Sequence, residues 1–106
     1  MANLRPSDFG RYAEPALLIL VSLADGAKHG YAVMEDVVNQ FGVRLGPGTL
    51  YAALARLEAR GLIEPLPSED RRRPYRLTEA GTAALRRQLD SLQEVAAVGL
   101  RRLASA

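Results

Sequence analysis

The sequence contains no cysteine and only one histidine. Disulfides and thiolate metal sites are therefore excluded, and one imidazole cannot build a histidine-rich centre, so neither metal nor cofactor is expected. Tryptophan is absent too, and the aromatic residues are two phenylalanines and four tyrosines scattered along the chain. That leaves no stacking platform of the kind that single-stranded RNA recognition needs. The longest apolar run, Pro15 to Ala24, falls short of the roughly 20 residues that cross a bilayer. The first residues show no charged-then-apolar targeting pattern. No membrane association is expected, and a cytoplasmic protein is the default reading, compatible with the missing cysteines. Catalytic constellations are also lacking. The adjacent carboxylates Glu35–Asp36 and Glu69–Asp70 would diverge rather than converge on a helix, which makes a poor acid/base pair, so no enzyme is expected.

What is present suits one small folded domain. The 106 residues are 48% hydrophobic, enough for a modest core and too apolar for a disordered chain. The net charge of +2 is small, but it is unevenly placed. Residues 1–70 carry six basic and nine acidic side chains, whereas residues 71–106 carry eight basic and three acidic. Positive charge begins at Arg71-Arg72-Arg73 and continues to the end, which fits either a solvated basic helix or a surface that meets phosphate.

The elements can be placed from patterning. Residues 1–13 read as an arm or short helix, with Phe9 and Tyr12 as anchors. Glu14 to Ala24 reads as a buried first helix with Pro15 in its first turn; Ile19 and Val21 keep a buried strand open. A second helix spans about Gly30 to Phe41, with Val33, Met34, Val37, Val38 and Phe41 at helical spacing and Gly42 closing it. A third runs from about Pro47 to Arg60, ending at Gly61. Its core side is Leu50, Ala53, Leu54 and Leu57. Its other side presents Gly48, Ala52, Ala55 and Ala59, flanked by Thr49 and Arg56 on one edge and Tyr51 on the other. Small residues allow close approach to a groove and the flanks can hydrogen-bond to bases or phosphates, although alanines also serve helix propensity on a solvated face.

Two strands follow, Leu62 to Leu66 and Pro74 to Leu77, joined by a turn-rich tip from Pro67 to Arg73. The tip arginines Arg71, Arg72 and Arg73 present forked donors suited to phosphate. A helix followed by a hairpin with a basic tip is the layout of a winged helix-turn-helix. Thr78 then caps a long helix reaching about Leu103, with Glu79 suiting its dipole. Leu85, Leu89, Leu92, Ala96, Gly99 and Leu103 alternate four- and three-residue steps, a heptad-like seam widened by Val95 and Leu100. Part of the seam must cover the domain's own core. The rest would expose apolar surface in a monomer, so pairing with a second copy is expected.

Three strings in this sequence resemble those of the PadR-type transcriptional regulators, short subfamily: LLILVSLADGAKHGYAVMEDV (Leu17 to Val37), GPGTLYAALARLEARGLIE (Gly46 to Glu64) and RRRPYRLTEAG (Arg71 to Gly81). The resemblance covers about residues 14–100. It implies a mainly α fold with a small β-hairpin, a homodimer built through the C-terminal helix, and repression at a near-palindromic operator on double-stranded DNA. It places Thr49 and Tyr51 where the family's recognition helix meets DNA, and Arg71 to Arg73 on the wing. Tyr31 matches a recurrent family tyrosine that is either structural or in contact with the DNA backbone, the structural role being preferred. His29 reads as a turn residue with a satisfied imidazole. Some short members sense flat apolar drugs in a pore at the dimer interface lined by an aromatic on the last helix. Here Leu92 stands about where that aromatic would be, so a stacking site for planar ligands is not expected. Phenolic-acid sensing, known for longer members, is not implied without their larger C-terminal domain.

The expected organisation is an arm at 1–13, a winged helix-turn-helix at 14–78 and a dimerisation helix at 79–106. The expected DNA-contacting residues are Gly48, Thr49, Tyr51, Ala52, Arg56, Arg71, Arg72 and Arg73. The seam residues above form the dimer contact, and a small-molecule effector of open identity would release DNA. The rival reading is a winged-helix protein-interaction module without direct DNA binding, which the acidic first two-thirds of the chain keeps open.

Overall fold

The computed structural model describes residues 14–68 and 71–106; the arm at 1–13 lies outside the described residues. In chain order the elements are α1 (Pro15–Leu23), β1 (Lys28–His29), α2 (Gly30–Phe41), α3 (Pro47–Ala59), β2 (Ile63–Pro65), β3 (Pro74–Leu77) and α4 (Glu79–Ser105). This is a mainly helical fold with a small antiparallel sheet, as the patterning predicts. Helix ends fall within a residue or two of the expected bounds, the normal scatter at frayed termini.

The strand alternative for the first apolar run is resolved in favour of a helix. Pro15 opens α1, and Leu18, Ile19, Leu20 and Leu23 are all buried. A helix apolar all round must be covered on all sides, and α1 packs against α2, α3, α4 and β3. Onto it α2 lays Val33 and Val37, and α3 lays Leu50, Ala53, Leu54 and Leu57. Leu45, Ile63 and Leu85 complete the buried cluster. Full burial of each such aliphatic contributes about 1.5–3 kcal/mol, so this core is the chief source of stability.

Turn chemistry fixes where the helices end. Gly42 adopts φ 70° after α2, a left-handed cap that a side chain would strain. At the end of α3, Gly61 has φ 74°, its N–H donates to the Glu58 carbonyl (2.9 Å) and the Leu62 N–H donates to the Leu57 carbonyl (3.0 Å). This paired closure is a Schellman motif. It turns the chain sharply from α3 into β2.

The sheet differs from expectation. It has three strands rather than two, in the order β1-β3-β2. Within it Ile63, Glu64 and Pro65 pair with Leu77, Arg76 and Tyr75, as a wing should. The third strand is Lys28–His29, which pairs Lys28 with Tyr75 and His29 with Pro74. Two residues carry no alternation, so only the tertiary pairing reveals this strand. Lys28 also anchors the turn before it: its Nζ donates to the Ser22 carbonyl and to the Asp25 carboxylate.

A tight joint connects the wing to α4. Thr78 Oγ accepts from the Gly81 N–H (3.0 Å) and donates to the Gly61 carbonyl (2.6 Å), while the Thr78 N–H donates to the Leu62 carbonyl (3.1 Å). Gly81 is buried hard against that same carbonyl. Beyond the joint, α4 leaves the body. Its 27 residues give about 40 Å of helix at about 1.5 Å per residue. The radius of gyration is 15.3 Å and the extents are 57 × 26 × 20 Å, against about 13 Å for a compact chain of this length.

This placement corrects one seam assignment. Leu85, expected at the dimer contact, is 5% exposed and belongs to the domain's own core. The helix is still crossing α1 and β3 at that point, so its inward side is already covered.

Candidate nucleic-acid interface

The third helix presents two chemically distinct sides, and the core decides which faces out. Leu50, Ala53, Leu54 and Leu57 point inward and are buried. Consequently Gly48, Thr49, Tyr51, Ala52, Ala55, Arg56 and Ala59 are all exposed, the arrangement the helical wheel predicts. Glu58 is exposed on the Tyr51 side, so that edge carries a negative charge. Arg56 sits on the opposite edge, sharing a shallow groove with Arg60, Glu14 and Pro15 at the start of α1.

Gly48 has no contact of its own to explain it. A Cβ placed there would meet nothing within 4 Å, yet glycine inside a helix costs up to about 1 kcal/mol relative to alanine. Nothing within the described fold requires its smallness.

Tyr51 is 54% exposed, but its ring is not loose. It lies across Gly30 at the first turn of α2. The His-Gly-Tyr step thus divides into separate tasks. His29 caps α2, its Nδ1 accepting from the Ala32 N–H at 3.3 Å. Gly30 receives the Tyr51 ring. Tyr31 is 56% exposed. It faces away from Val33 and Val37 and borders an open groove with Met34, Glu35, Val38 and Arg44. Of these three, only Gly30 escapes a reading from the sequence, because nothing local to it announces a distant ring.

The wing stands on β2 and β3. Their ladder extends one step past the strands through the Leu66 N–H, which donates to the Pro74 carbonyl (2.8 Å). Arg76 Nε donates to Glu64 Oε1 across the hairpin (2.6 Å), an exposed pair that pins register and adds little stability. Arg71, Arg72 and Arg73 are exposed at the tip. Because the Schellman turn joins α3 directly to β2, helix and wing form one continuous unit.

The seam on α4 is uncovered past Leu85. Leu89 (42%), Leu92 (46%), Val95 (67%), Leu100 (68%) and Leu103 (74%) are exposed, and Ala96 and Gly99 lie open between them. Among the described residues no helix is long and apolar enough to cross a membrane.

Comparison with known proteins gives this geometry a family. A profile described as "Transcriptional regulator PadR-like family" matches residues 19–87, from α1 through the first turns of α4. The "Transcriptional regulator Rv3488" of Mycobacterium tuberculosis is 45% identical over 86 residues, covering 76% of this chain and 77% of that protein. An "Uncharacterized 37.1 kDa protein in transposon TN4556" of Streptomyces fradiae is 48% identical over 82 residues, 77% of this chain. The match spans only about a quarter of that relative, 24% of its length. Among solved structures, a PadR family transcription regulator from Clostridium difficile R20291 superposes with a TM-score of 0.76 at 26% identity, covering 84% of this chain and 97% of that one. The matched region, the identity to a named regulator and the shared winged architecture together establish that this chain belongs to the PadR-like family of transcriptional regulators.

Proposed function

We propose that this protein is a cytoplasmic, sequence-specific DNA-binding repressor that acts as a homodimer at a near-palindromic operator and is released by a small-molecule effector. Its winged unit spans residues 14–78 and its dimerisation helix residues 79–106. The observation that carries the DNA reading is the outward side of α3: Gly48, Thr49, Tyr51, Ala52 and Arg56 are all exposed on a helix whose opposite side is locked into the core. Helices of this kind enter the major groove, and the two copies in a dimer meet grooves about one helical turn apart. Arg71, Arg72 and Arg73 supply phosphate contacts at the flank, and with them most of the sequence-independent affinity.

The second copy pairs along α4 from Leu89 through Leu92, Ala96 and Gly99 to Leu103. Four- and three-residue spacing is the register of helices packed side by side, and small residues at 96 and 99 suit close approach. The joint at Thr78 and Gly81 ties the start of α4 to the end of α3. A ligand that changes the angle between paired α4 helices would therefore shift the recognition helices. If operator affinity and half-site spacing proved insensitive to every inducer tested, the release step would be abandoned.

The decisive experiment is titration of the protein onto DNA from its own promoter across a salt series. Binding should weaken steeply with salt, and replacing Arg71, Arg72 and Arg73 together with alanine should weaken binding to all sequences and flatten the slope. Absence of salt-sensitive binding would favour the protein-interaction module instead.

A further inference from the structure

Gly30 opens α2 and is buried, and a Cβ built on it would lie 2.9 Å from Tyr51 Oη, 3.0 Å from Cε1 and 3.1 Å from Cζ. The missing side chain is thus a slot filled by the far half of the Tyr51 phenol. Its backbone does not need glycine for its own sake, since φ lies outside the left-handed region that Gly26, Gly42 and Gly61 occupy. Among the described residues the Tyr51 hydroxyl has no hydrogen-bond partner, although the ring beneath it is held.

We propose that Gly30 is a positioning residue for DNA binding: it seats the Tyr51 ring so that the phenol hydroxyl donates to a DNA backbone phosphate at the mouth between α2 and α3. The inference rests on the DNA-binding reading above. In a helix-turn-helix the first helix of the pair crosses the backbone while the second enters the groove. A hydroxyl leaving the second helix and resting on the start of the first stands where those two surfaces meet. Tyrosine is a common donor to phosphate oxygens, and a ring held in place loses less rotamer freedom on binding than a free one.

Adding a methyl at position 30 contacts the far end of a side chain and not backbone. The ring can swing away, so the fold tolerates the change while the hydroxyl moves. The test compares Gly30→Ala, Tyr51→Phe, Tyr51→Ala and the double variant Gly30→Ala/Tyr51→Ala as full chains, by fluorescence anisotropy on promoter DNA and on a scrambled duplex. Gly30→Ala should weaken binding to both duplexes by about tenfold, with a melting temperature at or above wild type. Tyr51→Phe should match it, and the double variant should bind no worse than Tyr51→Ala alone, because the glycine acts only through the ring. Unchanged affinity in Gly30→Ala, or additive losses in the double variant, would overturn the proposal. A loss confined to the promoter duplex would overturn the phosphate assignment. If Gly30→Ala fails to fold, the double variant must restore folding; failure to do so also overturns it. Wild-type protein that binds neither duplex in a salt-sensitive way instead defeats the DNA-binding reading itself.

Discussion

Replacing Gly81 with alanine adds one methyl group at the joint that fastens α4 to the rest of the molecule. The new Cβ would stand 1.8 Å from the Leu62 carbonyl oxygen and 2.8 Å from its carbon. Non-bonded carbon and oxygen settle at about 3.5 Å, so helix and turn must part by roughly 1.7 Å. The obstacle is backbone and cannot rotate away. Its oxygen accepts from the Thr78 N–H, and its residue's own N–H closes the Schellman turn of α3. Separation would break or stretch the Thr78 bonds to Gly61 and Leu62, each worth about 1 kcal/mol, and lift Leu85 from the core. Alanine's better helix propensity returns only about 1 kcal/mol. The expected net loss is about 2–4 kcal/mol, large against a total of about 5–15. On a domain of this size that lowers the melting temperature by roughly 10–20 °C. Circular dichroism melts at matched protein concentration would measure it, since dimerisation makes the midpoint concentration-dependent. Gly48→Ala is the control, because it makes the same glycine-to-alanine change within a helix, a Cβ there meets nothing within 4 Å, and the residue lies outside the α4 seam. A Gly81→Ala midpoint equal to wild type would refute the close packing of α4 on Leu62.

Gly48→Ala should stabilise the isolated protein by up to about 1 kcal/mol yet weaken promoter binding, because open space around Gly48 within the chain becomes contact space in a groove. Melts and anisotropy titrations on one preparation would reveal the opposition, and gains in both would count against α3 as the groove-entering helix. Leu89→Glu combined with Leu92→Glu should give monomers by sedimentation velocity while the winged unit stays folded, since both side chains are exposed in the single chain; a surviving dimer would show the seam to be misplaced. The Lys28 ammonium, bonded to the Asp25 carboxylate, holds that carboxyl below its ordinary value. A depressed folded-state value stabilises above the unfolded one, and that contribution fades as pH falls through the carboxylate range. Asp25→Asn should therefore be less stable than wild type near neutral pH, and the gap should close on acidification below about pH 4. A gap independent of pH would mean that the pair contributes nothing through its charge.

Much of this protein is legible in its sequence. The 3.6-residue spacing of Leu50, Ala53, Leu54 and Leu57 determined which side of α3 is buried and hence that Thr49, Tyr51 and Arg56 face out. Gly42, Gly61 and Thr78 marked helix ends because left-handed caps and side-chain acceptors are local demands of the backbone. Such signals act over a few residues, so the chain states them directly. Other features exist only once distant segments meet. The strand at Lys28–His29 is defined by pairing with Tyr75 and Pro74. Leu85 changed from seam to core because α4 has not yet cleared α1 and β3 there. Gly30 and Gly81 look alike in sequence, yet one holds a phenol ring that can move and the other a carbonyl that cannot. Periodicity reports which side of an element is apolar; only the packed tertiary structure decides what stands against each position, and whether it can yield.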